Sequence, residues 1–589
     1  MSHPRLRQLL FLTCNGIFTF AAHAQVTLSP TAGLQGQNLA LVLTGQSTHW
    51  VNGKTVVSAG PGITAGTVTV NSSTLAAVPL EISIAAATGM RTITVSTGSE
   101  KVTANFSVGA GIPAITQITP NWALPGQAVT VKITGVFTKF QAGGTSVSLG
   151  LNIAVRSVTV NSETSLSVSA LVAAAAPVGA SGVVVQTGAQ TLQVPMGFTV
   201  QLNSGVGPQG NLLPSTNSAS INSHLVLQYT APLKRSTINS TNITMSDSIG
   251  PVPINVTLGA SGRVVTLLPK RLLAAGSSIN VITSGVTDVF GNSSFLYGYT
   301  STGYAIDQGS PALSLNSPTA GETGVPTNAV VSLQFSEAMD PVSVQESLTL
   351  TGPGGVSTGA IAFDNSLKNF RIQPALQPNS TYTVSFANLV KDLSGNLSPG
   401  IASLRFTTGA GPGGFFYALA IDPPTTSLLS TNAKLQFQFN AAVDATTIST
   451  SGAPYPVTAQ VSADRMTVSF APSTPLAPAT PYNFTVNLCS ESASCTFAGA
   501  AFTTGSGPDN DPPSVSMISP GHGQTGAPVN TREVIQLSPE AWLIDSSYQA
   551  ISFTPSALLA PSRVHRQRPV RPPTAYNWYR AIAEPREQR

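Results

Sequence analysis

The chain repeats itself at a fixed distance, and this repetition limits its fold more than any other feature of the sequence. The segment LSPTAGLQGQNLALVLTG at residues 28–45 returns as ITPNWALPGQAVTVKITG at residues 118–135, which is 90 residues later. The same offset relates VTVNSSTL at residues 68–75 to VTVNSETSL at residues 158–166. Agreement at one offset indicates tandem copies of one module. Because 589 residues exceed what one hydrophobic core supports, several modules of about 100 residues are expected.

A second repeat type follows the first. It opens with a strand and a turn, continues with a proline-bounded segment, and in two copies closes with Phe-Thr-Thr-Gly. The openings lie at residues 221–238, 327–344 and 431–448, the proline-bounded segments at 267–281, 372–386 and 470–486, and the closing tetrapeptides at 406–409 and 502–505. The Gly-Pro segments after the closing tetrapeptides are typical of domain boundaries.

Short strands joined by turns are the expected content of each module. Apolar residues alternate in VTVKI at residues 129–133, which is the period of a half-buried strand. Only 8% of the residues are charged, while the chain contains 52 glycines and 44 prolines, and this composition favours strands and turns over helices. We therefore predict an all-β protein of tandem β-sandwiches in an elongated array, with little interface between neighbours.

Both repeat types resemble known families. The proline, the Gly-Gln turn, the strand V-x-I-x-G and the closing strand that ends at Phe106 or Phe198 resemble the IPT/TIG family of Ig-like domains, over residues 25–201. The order S-E-A-M-D-P, L-x-P-x-x-x-Y-x-V, D-x-x-G-N and F-T-T-G over residues 208–505 resembles the bacterial Ig-like domain of the SbsA type. These resemblances imply an all-β fold of tandem immunoglobulin-like β-sandwiches in an elongated array. Ig-like sandwiches serve adhesion, surface-layer assembly, ligand binding and spacing alike.

The repeats divide the chain into predicted domains. They are a signal peptide at residues 1–24, IPT/TIG-like domains at 25–109 and 114–201, SbsA-type domains at 208–303, 310–409 and 414–505, and an incomplete Ig-like domain with a basic, disordered tail at 511–589. Residues 512–538 align without gaps on residues 310–336, after which an arginine- and proline-rich run replaces the repeat pattern. We expect a truncated or frame-shifted gene, and the alternative is a natural basic tail that binds an acidic surface.

The N-terminus has the pattern of a secretory signal peptide. Arg5 and Arg7 precede an apolar run at residues 9–22, and Ala22-His23-Ala24 follows as the cleavage site. The residues before Cys14 are not the small ones expected ahead of a lipidated cysteine, so we do not expect a lipoprotein. No later stretch is apolar over the length that a membrane span needs, so no transmembrane segment is expected in the mature chain. We predict a secreted or extracellular surface protein.

Two cysteines, Cys489 and Cys495, remain after removal of the signal peptide. Disulfides persist in exported proteins, so we predict that these two cysteines pair. The net charge of +4 is small, and seven arginines lie within residues 563–589, so nucleic acid is not an expected partner. Cell-surface glycans or other surface proteins are the partners that the surface interpretation predicts.

Two segments of the type Asp-x-x-Gly-Asn, at residues 288–292 and 392–396, combine carboxylate and amide oxygens at close spacing. Calcium prefers such ligands, but it needs about six or more of them. A tight turn with a left-handed glycine requires the same residues. We interpret both segments as turns and keep calcium as the alternative.

No other constellation points to catalysis. Glu337 and Asp340 form an acidic pair in a repeated loop, but the corresponding residues Asn440, Ala441 and Asp444 lack the glutamate. The remaining histidines each lie in a different predicted module or in the tail: His49, His224, His522 and His565. Trp50 and Trp122 lie near turns, where packing is favoured over stacking on a sugar. We therefore predict no catalytic, cofactor-binding or metal-binding residues and no cofactor.

Two functions are consistent with these patterns. The favoured one is a non-enzymatic surface or secreted protein, structural or adhesive, in which sandwiches form a spacer or a binding rod. The alternative is that the modules are accessory domains of a larger extracellular enzyme, for example one that acts on polysaccharide.

Overall fold

The computed structural model describes residues 24–215, 219–356, 361–422, 428–452 and 457–510, and short segments beyond them. The predicted signal peptide, apart from Ala24, and most of the predicted C-terminal tail lie outside the described residues. The described chain consists mainly of paired β-sheets, whose strands are antiparallel except for short parallel pairs such as β2 with β9, and this confirms the prediction of tandem Ig-like β-sandwiches.

The first sandwich packs the sheet β1-β3-β7-β5, with β6 also paired to β7, on the sheet β2-β9-β8-β4. Its core contains Leu41, Leu43, Ile93 and Phe106. The strands are β1 Gln25–Ser29, β2 Ala32–Leu34, β3 Asn38–Gln46, β4 Thr55–Ser58, β5 Ile63–Ala65, β6 Thr69–Ser72, β7 Leu75–Ile82, β8 Gly89–Thr97 and β9 Glu100–Gly109.

The second sandwich repeats this arrangement with the sheets β10-β12-β15-β14 and β11-β17-β16-β13. Strand β15 shows how the alternating sequence produces it, since every second side chain, from Leu166 to Val172, is buried. The strands are β10 Ala114–Thr119, β11 Trp122–Ala123, β12 Ala128–Val136, β13 Thr145–Ser148, β14 Ile153–Ser162, β15 Ser165–Val172, β16 Gly179–Thr187 and β17 Gln190–Val200.

The third sandwich packs the sheet β18-β19-β23-β22 on the sheet β21-β20-β24-β25, in which β25 is an edge strand. A single turn of 3-10 helix at Arg235–Thr237 precedes β20. The strands are β18 Gly210–Leu213, β19 Leu225–Tyr229, β20 Ile243–Asp247, β21 Gly250–Pro251, β22 Ile254–Leu258, β23 Val264–Pro269, β24 Ser278–Thr287 and β25 Ser293–Ser301.

The fourth sandwich contains the sheets β26-β28-β32-β31 and β27-β34-β33-β29-β30. Helix α1 (Pro341–Ser347) begins after Asp340, whose carboxylate accepts hydrogen bonds from the backbone N–H groups of Val342 and Ser343. The strands are β26 Leu313–Ser317, β27 Thr323–Val325, β28 Val331–Phe335, β29 Leu348–Gly352, β30 Gly355–Val356, β31 Ile361–Phe363, β32 Asn369–Ile372, β33 Thr381–Phe386 and β34 Leu404–Thr408.

The fifth sandwich contains the sheets β35-β37-β40-β39 and β36-β42-β41-β38, and β43, β44 and β45 form a further small sheet. A strand as far along the chain as β45 was not anticipated from the sequence. The strands are β35 Ala418–Asp422, β36 Leu428–Leu429, β37 Leu435–Phe439, β38 Val443–Ser451, β39 Val457–Val461, β40 Thr467–Pro472, β41 Pro481–Ser490, β42 Cys495–Thr504, β43 Val515–Ser519, β44 Glu533–Leu537 and β45 Arg580–Ala583.

The chain divides into two compact units, Met1–Gly324 with Val331–Gly409, and Val325–Val330 with Ala410–Arg589. Sandwiches within the first unit share buried contacts. Leu213 and Val226 of the third sandwich pack with Leu393 of the fourth. Ala77 of the first sandwich packs with Leu272 of the third. The expectation of little interface between neighbouring modules is therefore wrong for this unit, because apolar side chains on several module surfaces are buried against each other.

Polar contacts accompany these apolar ones. Gln37 of the first sandwich donates from Nε2 to the carbonyl oxygen of Gly395 in the fourth, at 2.7 Å. Asn121 of the second sandwich donates from Nδ2 to the carbonyl oxygen of Ser261 in the third, at 2.9 Å. Both amide side chains are buried, so each bond satisfies a group that would otherwise be desolvated without a partner.

Candidate functional site

Three carboxylates from separate parts of the first unit lie together. Oxygen atoms of Asp307, Glu337 and Asp392 are all within 4.8 Å of one another. Asp307 lies between β25 and β26, Glu337 follows β28, and Asp392 lies in the turn between β33 and β34. We call these three residues the acidic cluster.

Local hydrogen bonds fix two members of the acidic cluster. The Asp392 carboxylate accepts from the N–H of Ser394 at 2.7 Å, from the N–H of Asn396 at 2.9 Å and from the Asn396 side chain at 2.8 Å. Asn222 fixes the backbone of Asp307, since its side chain accepts from the Asp307 N–H and donates to the Asp307 carbonyl oxygen. These bonds hold the carboxylates close together despite their like charge.

The acidic cluster therefore keeps protons at pH values at which isolated carboxyl groups are ionised. Burial, followed by the charge of Asp307, raises the pKa of Glu337 to about 8. Burial, with a further contribution from Asp307, raises the pKa of Asp392 to about 7. Carboxylates that share a site ionise in steps, and a protonated Glu337 donates a hydrogen bond to Asp307.

The acidic cluster has the oxygen ligands that a divalent cation prefers, but it has few of them. Calcium takes six to eight oxygens. The carboxylate of Asp392 already accepts three hydrogen bonds within its own turn. We therefore interpret the acidic cluster as a set of carboxyl groups that share protons.

A second charged group surrounds the start of α1. The Asp340 carboxylate lies 3.2 Å from Lys391 Nζ and 3.8 Å from His224 Nε2. Although burial favours its neutral form, Lys391 and then His224 hold the pKa of Asp340 below its usual value. Burial lowers the pKa of His224 to about 4, so this imidazole is neutral at pH 7. Burial, and then the charge of Asp340, raises the pKa of Glu346 to about 8.

The structure separates the acidic pair that the sequence suggested. Glu337 lies in the acidic cluster, whereas Asp340 caps α1 and faces Lys391. The corresponding Asp444 accepts from the N–H and the hydroxyl of Thr446, within its own loop. His224, placed alone in its module by sequence, approaches Asp340 across the interface of the third and fourth sandwiches, which no local pattern indicated.

Both Asp-x-x-Gly-Asn segments are turns. In each, the aspartate accepts from two backbone N–H groups and from the asparagine side chain that ends the segment. Gly291 and Gly395 have φ angles of 92° and 90°, which favour glycine because it lacks a Cβ. The residue pattern thus encodes a turn closed by its own aspartate.

Cys489 and Cys495 form a disulfide. The two residues face each other on β41 and β42, so the bond closes the end of a hairpin. Glu491, within the loop, forms a buried ion pair with Arg465. The loop is therefore attached both covalently and electrostatically to the fifth sandwich.

The two tryptophans occupy different environments. Trp50 is buried in the core of the first sandwich. Trp122, on β11, is half-buried and has its ring 4.7 Å from that of Phe290 in the third sandwich. Packing therefore accounts for both side chains, as predicted from their positions in the sequence.

The bacterial Ig-like domain family matches residues 307–408 and 419–504. These segments cover the fourth and fifth sandwiches. No curated protein matches the chain. Among the described residues, no helix has the length and apolar character needed to cross a membrane.

Several solved structures are similar to parts of the chain. An eight-domain fragment of the Down syndrome cell adhesion molecule has 10% identity and a TM-score of 0.18, over 82% of this chain and 60% of that one. FdeC, an adhesin of Escherichia coli, has 16% identity and a TM-score of 0.14, over 47% and 96%. The N-terminal part of the bacterial S-layer protein SbsC has 14% identity and a TM-score of 0.17, over 34% and 45%. The chain thus spans 60% of the length of the first of these fragments.

The family match and the paired sheets lead to the same conclusion. Two segments of the chain match the bacterial Ig-like domain family, and its described part is a series of Ig-like β-sandwiches.

Proposed function

We propose that this chain is an exported bacterial protein, at the cell surface or secreted, in which Ig-like modules act as a spacer and present a binding surface. In this proposal, residues 25–109 and 114–201 are IPT/TIG-like domains. Residues 208–303, 310–409 and 414–505 are SbsA-type domains. Cell-surface glycans or other surface proteins are the proposed partners.

The interfaces within the first unit are the main support for the proposed spacer and binding role. Relative motion of linked domains is the default unless their interface is substantial and apolar. Here Leu213, Val226 and Leu393 are buried between the third and fourth sandwiches, and Ala77 and Leu272 are buried between the first and third. Such contacts hold sandwiches at defined orientations, which a spacer or a multi-module binding surface requires.

The cysteine chemistry supports export. The chain has three cysteines, of which Cys14 lies in the predicted signal peptide and the other two form the disulfide. Disulfides persist in oxidising compartments and are rare in the cytosol. The basic and apolar pattern of residues 5–24 is the matching export signal.

Surface labelling of intact cells tests the proposal. Cells that express the full chain are treated with a membrane-impermeant amine reagent, fractionated and probed for labelled protein. We expect the wild-type chain to be labelled at the cell surface or recovered from the culture medium, and a variant that lacks residues 2–24 to be neither. An unlabelled wild-type chain recovered from the cytoplasm with free thiols at Cys489 and Cys495 would contradict export.

A further inference from the structure

Three aromatic side chains on the edge strand β25 face solvent. Phe295, Tyr297 and Tyr299 are 72%, 58% and 71% exposed. Alternate residues of a strand lie on one face, about 6.7 Å apart, so the three rings form a row about 13 Å long. Leu296 and Thr300, of the opposite parity, turn inward. We call Phe295, Tyr297 and Tyr299 the aromatic row.

Uncharged residues, most of them polar, surround the aromatic row. Ile282 of β24 lies opposite Tyr297, and Asn280 lies opposite Tyr299 and accepts a hydrogen bond from the Tyr297 hydroxyl at 3.1 Å. The next strand, β20, continues these rows with Thr244 and Ser246. Among the described residues of β20, β24 and β25, the outward positions carry no charge; they include Thr244, Ser246, Ser278, Asn280, Ile282, Ser284, Thr287, Ser293, Phe295, Tyr297, Tyr299 and Ser301.

This combination of groups restricts the ligand. Contiguous exposed apolar surface on a folded domain marks an interaction site. Sugar rings present an apolar C–H face and a rim of hydroxyls, and aromatic rings flanked by amide and hydroxyl groups complement both. Electrostatic complementarity determines which partners are accepted, and a face without charge offers nothing to an acidic polysaccharide or a charged peptide.

We propose that the aromatic row and its neutral surround bind a neutral glycan chain. The length of the row fits an oligosaccharide rather than a single sugar. This inference rests on the proposed function, because it specifies the partner of an exported binding protein. The glycan could come from the producing cell or from another surface, and the chemistry of the site is the same in both cases.

Affinity electrophoresis of the purified full chain tests the inference. The gels contain hydroxyethyl cellulose, dextran or laminarin as neutral probes and alginate as the charged probe. Binding of whole cells, of the producing strain and of other strains, then distinguishes the two sources. The variants are Tyr297→Ala, Tyr299→Ala and their combination. Phe497→Ala is the matched control, since Phe497 is 74% exposed on β42, outside the aromatic row.

We expect retardation by at least one neutral polysaccharide and none by alginate. Each ring removed should weaken binding up to about tenfold, whereas Tyr297→Phe, which keeps the ring, should bind within a fewfold of wild type. Unchanged circular dichroism spectra show that the exposed substitutions leave the fold intact.

Three results would overturn the inference. They are failure of all neutral probes to bind, equal loss in Phe497→Ala, and self-association of the chain that the Tyr297→Ala and Tyr299→Ala substitutions abolish. Surface labelling separates this failure from failure of the proposed function, because a labelled chain without glycan binding leaves export intact.

Discussion

Acidification should weaken the first unit through His224. The imidazole is buried beside Asp340 and Lys391 at the interface of the third and fourth sandwiches, with a pKa of about 4 in the folded chain. An unfolded chain has the ordinary value of 6.5. Below pH 6.5 His224 is protonated in the unfolded chain but stays neutral in the folded chain. The free energy of unfolding therefore falls as the pH approaches 4.

The magnitude follows from the size of this shift. At 1.36 kcal/mol for each pKa unit, the contribution of His224 to the free energy of unfolding falls by about 3 kcal/mol between pH 6.5 and pH 4. Glu337 and Asp392 act in the opposite direction, because their raised pKa values favour the folded state at low pH. The wild-type profile alone therefore mixes opposing terms, and a variant is needed to isolate the histidine.

His224→Gln removes the titrating group and keeps a polar side chain of similar length. Urea unfolding of both proteins, followed by circular dichroism between pH 7.5 and pH 4, gives the difference in stability at each pH. We expect wild type to lose about 3 kcal/mol relative to the variant across this range. His49→Gln controls for loss of an exposed imidazole. Parallel profiles for wild type and His224→Gln would refute the reasoning.

Three further substitutions test the other features. Glu337→Gln should raise the Tm at pH 8.5 but change it little at pH 5. The acidic cluster is protonated at low pH, and its contribution to folded stability is lost as the pH rises through about 8. A Tm gain from CaCl2 in wild type but not in this variant would instead indicate a metal site. Cys489→Ser should lower the stability of the fifth sandwich by about 2 kcal/mol, the estimate for so short a loop, and an unchanged unfolding midpoint would contradict this. Phe437→Ala, at a fully buried position, should cost about 3–5 kcal/mol in urea unfolding, and a loss below 1 kcal/mol would show that the core collapses around the gap.

Local patterns in the sequence were sufficient for the fold class and for several details. Alternation of apolar residues depends only on neighbours along a strand, and the repeats multiply that signal. The Asp-x-x-Gly-Asn turns close through residues within the same segment, as with Asp392 and Asn396. Cys489 and Cys495 are 6 residues apart on one hairpin, so their pairing could also be predicted from local sequence.

Contacts between modules were not readable from the sequence. His224 and Asp340 belong to different sandwiches, and Asp307 reaches Glu337 only because a linker passes the end of β28. Apolar surface residues such as Val226 and Leu272 have the same periodicity whether they face water or another module. Their sequence pattern therefore does not predict an interface.

The aromatic row shows most clearly which properties follow from the sequence and which from the tertiary structure. The sequence by itself determined that Phe295, Tyr297 and Tyr299 share one face of a strand, because side chains alternate with a period of two. Hydrophobicity would assign that face to the core. The tertiary structure decided otherwise, since Leu296 and Thr300 turn inward and the rings remain in solvent. When both faces of a strand carry apolar groups, either face could pack into the core. Only packing against the opposite sheet selects between them.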